Sequence, residues 1–127
     1  MGRFLWICVG GAFGTGARYL LSGWALIALG SAFPWGTLAV NVLGSFLISA
    51  IMHLALTTDW IAPTVRIALS TGVLGGFTTY SSFNYETLGY LRDGAWGLAL
   101  ANVFATLLLC LAAGIAGLAL ARGLVGG

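Results

Sequence analysis

The stretch that decides the fold is Ser70-Thr71-Gly72-Val73-Leu74-Gly75-Gly76-Phe77-Thr78-Thr79-Tyr80-Ser81-Ser82-Phe83-Asn84-Tyr85-Glu86-Thr87. It has the length of a membrane crossing but carries hydroxyls, an amide and a carboxyl. Thr71, Gly75, Thr79, Ser82 and Glu86 step by four, four, three and four, so a continuous helix would align them on one face. Polar groups in hydrocarbon are costly and face a partner or a hydrated path. The paired glycines Gly75 and Gly76 are the expected break in this helix. A break at membrane depth frees carbonyls and amides that protein or a bound ion must satisfy. Freed carbonyls suit a cation, and exposed amide ends favour an anion. The competing possibility is a merely kinked helix whose hydroxyls bond the preceding turn.

The surrounding chain has to be membrane protein. Of its 127 residues 60% are hydrophobic and 6% are charged, against about 25% charged in a soluble domain; the mean hydropathy is +1.03. Five Arg, three acids and no Lys leave no Walker A lysine, no Schiff-base lysine and no basic nucleic-acid face. A crossing takes about 20 apolar residues, so the sequence predicts four spans, at 4–29, 37–56, 64–91 and 95–120, in one all-α transmembrane domain. Pro34, Gly36 and Pro63 mark borders, as does Arg92-Asp93-Gly94, with Trp35 as an interfacial anchor. Arg3, Arg66 and Arg122 fall on one side of the membrane, and Arg92 with Arg18 on the other. That bias is weak enough for insertion both ways round, which would allow an antiparallel dimer.

Glycines four apart, Gly10 with Gly14 and Gly72 with Gly76, have the spacing that lets helix backbones approach in lipid. Cys8 and Cys110 sit in separate apolar runs and read as small hydrophobes rather than ligands. His53 has no second ligand at metal spacing. Asn41 is either interhelical glue or an amide donor to an anion. Arg18 either snorkels or pairs with Glu86, or attracts anions. Asn102 in the fourth span raises the same question as Asn41. Tyr80 and Phe83 stack on one flank, where ring edges would favour a small anion. No Ser–His–acid set, HExxH or thiol–His pair stands in the sequence, so no enzyme is expected.

Together, Gly36-Thr37-Leu38-Ala39-Val40-Asn41, Gly75-Gly76-Phe77-Thr78-Thr79-Tyr80-Ser81-Ser82-Phe83 with Glu86, and the Gly-rich first span with Arg18 resemble the fluoride channel family known as Fluc or CrcB. The resemblance extends over essentially the whole chain. It implies a four-helix membrane protein with the third helix broken, assembled as an antiparallel, dual-topology homodimer in the plasma membrane of a prokaryote. It implies passive, selective conduction of fluoride that lowers cytoplasmic fluoride, and two pores flanking the dimer interface. It further implies a structural Na⁺ on the backbone carbonyls of Gly75 and Thr78 of both subunits. By the same resemblance the ion pathway falls on Asn41, Thr79, Tyr80, Ser81, Ser82, Phe83 and Asn102, with Arg18 and Glu86 as supporting charges. Tyr80 departs from the family's usual Phe and adds a hydroxyl near the path.

A rival of another class is a proton-coupled small multidrug exporter, also of four short spans and dual topology. It requires a membrane-embedded carboxylate; the first span has no acid, and Glu86 is the only acid within any span. A third possibility is a non-transporting membrane subunit whose Gly and Ser serve only packing.

Overall fold

The computed structural model describes residues 1–126, and among these the secondary structure is entirely helical. Three helices are long and apolar enough to cross a membrane: α1 (Gly2–Leu29), α2 (Trp35–Thr57) and a final helix of 29 residues, Trp96–Leu124. The third crossing is made of pieces. A short helix, α3 (Pro63–Ile67), starts with its proline at the first helical turn and passes into a π-helical stretch, Ala68–Leu74. One turn, α4 (Gly75–Phe77), follows; then come two extended residues and α5 (Tyr80–Arg92). The final helix is accordingly α6. Gly94, at φ 75°, makes the turn between α5 and α6, a backbone conformation that suits glycine.

The side chains are distributed as in a lipid-immersed protein. The buried apolar cluster is small, comprising Val40, Leu74 and Phe77. Trp6, Phe13, Trp24, Ile27, Leu108 and Leu111 all stand outward, where hydrocarbon solvates them as well as a core would. The fold is therefore held by close backbone packing at small residues more than by an apolar core.

The glycines at i and i+4 pair off across two helices. A Cβ on Gly10 would lie 2.7 Å from the Ala68 carbonyl oxygen and 3.3 Å from Gly72 Cα; one on Gly76 would lie 2.6 Å from the Gly11 carbonyl oxygen. Gly14 packs on Val73 and Phe77, and Gly72 on Ile7 and Gly10. Gly10 and Gly14 of α1 and Gly72 and Gly76 of the third crossing thus form one clasp. A second close approach, Gly117 on the Phe46 backbone, joins α6 to α2.

The break is not at the paired glycines. Gly75 is helical (φ −62°, ψ −38°), and the chain leaves the helix at Thr78 (φ −85°, ψ 156°) and Thr79 (φ −150°, ψ 112°). Gly76 stays helical because its missing side chain is what seats α4 against α1. The extended pair consists of β-branched residues, which tolerate that backbone well; the Thr78 amide still donates to the Leu74 carbonyl at 3.0 Å, and a side chain described below takes up the Thr79 amide. The helical ladder expected from Thr71 to Glu86 is therefore split. Thr71 and Gly75 lie before the break, while Ser82 and Glu86 lie on α5.

Candidate ion-binding groove

The break is tied to α2 by Asn41. Its Nδ2 donates to the Thr79 carbonyl at 3.0 Å, and its Oδ1 accepts from the Thr79 N–H at 2.8 Å. One amide side chain thus grips both edges of a single peptide residue. Thr79 in turn caps α5. Its Oγ1 accepts from the Ser82 N–H at 3.2 Å and donates to Ser82 Oγ at 3.1 Å, with Ser81 Oγ at 3.3 Å. This is the usual N-cap arrangement, in which a hydroxyl satisfies an amide that has no helical partner. Gly44 makes room for the Thr78 methyl, which occupies the space a side chain there would need. The Thr78 hydroxyl donates back to the Leu74 carbonyl at 2.9 Å.

These bonds leave main-chain oxygens free. In a continuous helix the Thr79 N–H would donate to the Gly75 carbonyl and the Ser82 N–H to that of Thr78. Here Asn41 takes the first amide and Thr79 Oγ1 takes the second. The Gly76 carbonyl accepts from Arg18 Nε at 3.0 Å. Arg18 therefore serves the end of α4 and does not pair with Glu86, whose Oε2 accepts from Thr37 Oγ1 at 2.9 Å. The second oxygen of Glu86, Oε1, is buried with no hydrogen-bond partner.

An open groove runs along this face. Asn41, Gly44, Ser45, Ser70, Gly75, Thr78, Thr79, Tyr80, Phe83, Thr106 and Cys110 line it with Ile48 and two leucines. None of these residues carries a formal charge. Tyr80 and Phe83 meet edge to face there, with centroids 5.5 Å apart and planes at 66°. Asn41, Thr79, Tyr80 and Phe83 are thus brought together. Ser81 and Ser82 adjoin the groove through the Thr79 hydroxyl. Asn102 is not among the lining residues. It is buried in the α5–α6 seam, where its Nδ2 donates to Thr87 Oγ1 at 3.0 Å, and that hydroxyl donates to the Phe83 carbonyl. Glu86 faces a separate hollow shared with Thr37, Trp35 and Tyr90.

Some lining residues carry no signal in the sequence. Ser45, Thr106 and Cys110 are single polar atoms in apolar helices, and only the packing of α2 against α6 aims them at the groove. Among the described residues no three His, Cys, Asp or Glu side chains cluster as metal ligands. A cation at the break would therefore depend on backbone oxygens. The Gly75 and Thr78 carbonyls suit a cation because each is an oxygen donor without its helical amide, as in membrane helices interrupted at sodium sites. A Cβ on Gly75 would meet nothing closer than the Ser70 oxygen at 3.8 Å. Packing within the chain does not require glycine at that position.

A family model described as "CrcB-like protein, Camphor Resistance (CrcB)" matches residues 5–118. The chain belongs to the CrcB family. A relative from Sorangium cellulosum is 54% identical to this CrcB family member over 127 residues, covering all of both chains. One from Anaeromyxobacter dehalogenans is 54% identical over 126 residues, covering 99% of this chain and 100% of the relative. Another, from Geobacter sulfurreducens, is 51% identical over 122 residues, covering 96% and 98%. All three are named "Fluoride-specific ion channel FluC". This CrcB family member is a multi-pass membrane protein of a prokaryote and a transport protein, not an enzyme.

Proposed function

We propose that the protein is a passive, highly selective fluoride channel that lowers cytoplasmic fluoride, built as an antiparallel homodimer around a structural Na⁺. The observation that carries this reading is end-to-end identity of 54% with a relative named as a fluoride-specific channel. The groove supplies the chemistry. Fluoride is small and strongly hydrated, so a path must replace its water with compact donors. Asn41 Nδ2, the hydroxyls of Ser81 and Ser82, and the ring edges of Tyr80 and Phe83 are donors of that kind, and the Thr79 hydroxyl joins them when it releases Ser82 Oγ. Multiple weak sites also let the ion leave.

The walls of the groove are mostly apolar, but the polar atoms it exposes, the Gly75 and Thr78 carbonyls among them, need a cover at the flank of a membrane protein, because lipid satisfies no hydrogen bonds. A second copy of the chain supplies one of matching chemistry, and the near-balanced arginines favour its inverted insertion. Na⁺ held by the Gly75 and Thr78 carbonyls of both copies would supply a fixed positive potential beside a path that has no charged lining residue. Gly75 would then be glycine because the partner approaches there.

The test is efflux from vesicles holding the purified protein. Fluoride should leave when an ionophore for the counter-ion is added, with little chloride release; equal rates for the two halides overturn the reading. Tyr80→Phe keeps the ring edge and removes a hydroxyl on a side chain that is 75% exposed in the protomer. Fluoride flux in that variant should change by less than about threefold, since no buried partner is left unsatisfied. A loss much beyond this would assign the hydroxyl a place in the path.

A further inference from the structure

The Gly75 carbonyl is free only because something else has taken the amide that would heal the helix. The Thr79 N–H lies one helical hydrogen bond from Gly75, and its partner is Asn41 Oδ1, at 2.8 Å. Asn41 is itself held firmly. It is 9% exposed, and its Nδ2 donates to the Thr79 carbonyl at 3.0 Å. Two bonds to one residue fix the orientation of the amide plane, so the acceptor cannot turn away while the donor stays bound. No residue adjacent in sequence provides this hold; it comes from α2, across the helix pair.

We propose that Asn41 is a positioning residue for the cation site: by clamping the Thr79 peptide it keeps the Gly75 carbonyl without a backbone donor. The inference rests on the reading that a cation binds the carbonyls at the break. Without the clamp, the Thr79 amide is free to bond Gly75, and the cation has to compete with that hydrogen bond for the same oxygen.

The experiment is thermal unfolding of the full chain in detergent across a sodium series, with a bulky organic cation holding ionic strength constant. The wild type should gain stability with sodium. In Asn41→Leu the sodium needed for half of that gain should rise by about tenfold, the factor set by one competing hydrogen bond. Asn41→Asp retains an acceptor for the Thr79 amide and adds a negative charge that favours a cation, so its midpoint should not rise above that of the wild type. If Asn41→Leu does not fold, Asn41→Ser, too short to reach Thr79, takes its place, and failing both the Asp variant decides. A wild-type midpoint in the Leu or Ser variant, with melting lowered equally at all sodium concentrations, overturns the clamp and leaves the cation reading standing. A sodium response lost in Asn41→Asp also overturns it. A wild type indifferent to sodium overturns the cation reading and the clamp with it.

Discussion

Gly14→Val should abolish folding of the protomer, while Gly16→Ala, two residues along the same helix, should leave it intact. A Cβ at Gly14 would overlap the Val73 carbonyl oxygen and lie 2.8 Å from Val73 C and 2.9 Å from Phe77 N. All three are backbone atoms, so no rotamer change relieves the clash; α1 has to move off the third crossing. Overpacking of this sort costs about 1–3 kcal/mol where side chains can adjust, and more where they cannot, against a total stability of about 5–15 kcal/mol. Separation would also open the contacts of Gly10, Gly72 and Gly76, because the four act as one seam. Gly16 meets nothing within 4 Å, and its variant should melt as the wild type does. Monodispersity in detergent and thermal unfolding of the two variants check this. A Gly14→Val protein that melts with the wild type would mean that α1 does not pack in this register.

The seam shows what the sequence makes legible and what it leaves out. Glycines four apart mark Gly10–Gly14 and Gly72–Gly76 as helix interfaces, but spacing alone does not say that the two pairs face each other. Hydropathy and the flanking prolines and arginines give four crossings, and the paired glycines give an interruption of the third. The interruption itself is misread by local propensity, which points to Gly75 and Gly76. The actual break is at Thr78 and Thr79, and the Thr79 amide is bonded by Asn41, 38 residues away. A hydrogen bond between elements leaves no periodic trace. The same limit hides the partners of the charged groups. Arg18 and Glu86 look complementary as opposite charges within the spans, yet Arg18 goes to the Gly76 carbonyl and Glu86 to Thr37. Asn102 stands out in an apolar helix for the same reason as Asn41. It reaches only the Thr87 hydroxyl behind Phe83, because α6 presents that residue to the α5 seam and not to the groove.

Asn41→Asp should stop fluoride flux without weakening the cation response, separating two functions that meet at one side chain. Asparagine has two N–H donors; one is bonded to the Thr79 carbonyl, and the other is available to an anion in the groove that Asn41 lines. Aspartate has the same shape and still accepts from the Thr79 N–H. Ionised, it offers no donor and places a negative charge on the path. At 4 Å and an effective dielectric constant of about 20, that charge opposes an anion by about 4 kcal/mol, or roughly a thousandfold in occupancy. The Thr79 carbonyl loses its bond from the side chain, but as the N-cap carbonyl it still accepts the first bond of α5, so the break should persist. Fluoride-electrode traces from vesicles holding the variant should therefore be close to those of empty vesicles, while the same preparation melts with a sodium midpoint no higher than that of the wild type, since the added charge favours the cation. Flux within a few-fold of the wild type would remove the Asn41 amide from the pathway and leave it only the clamp.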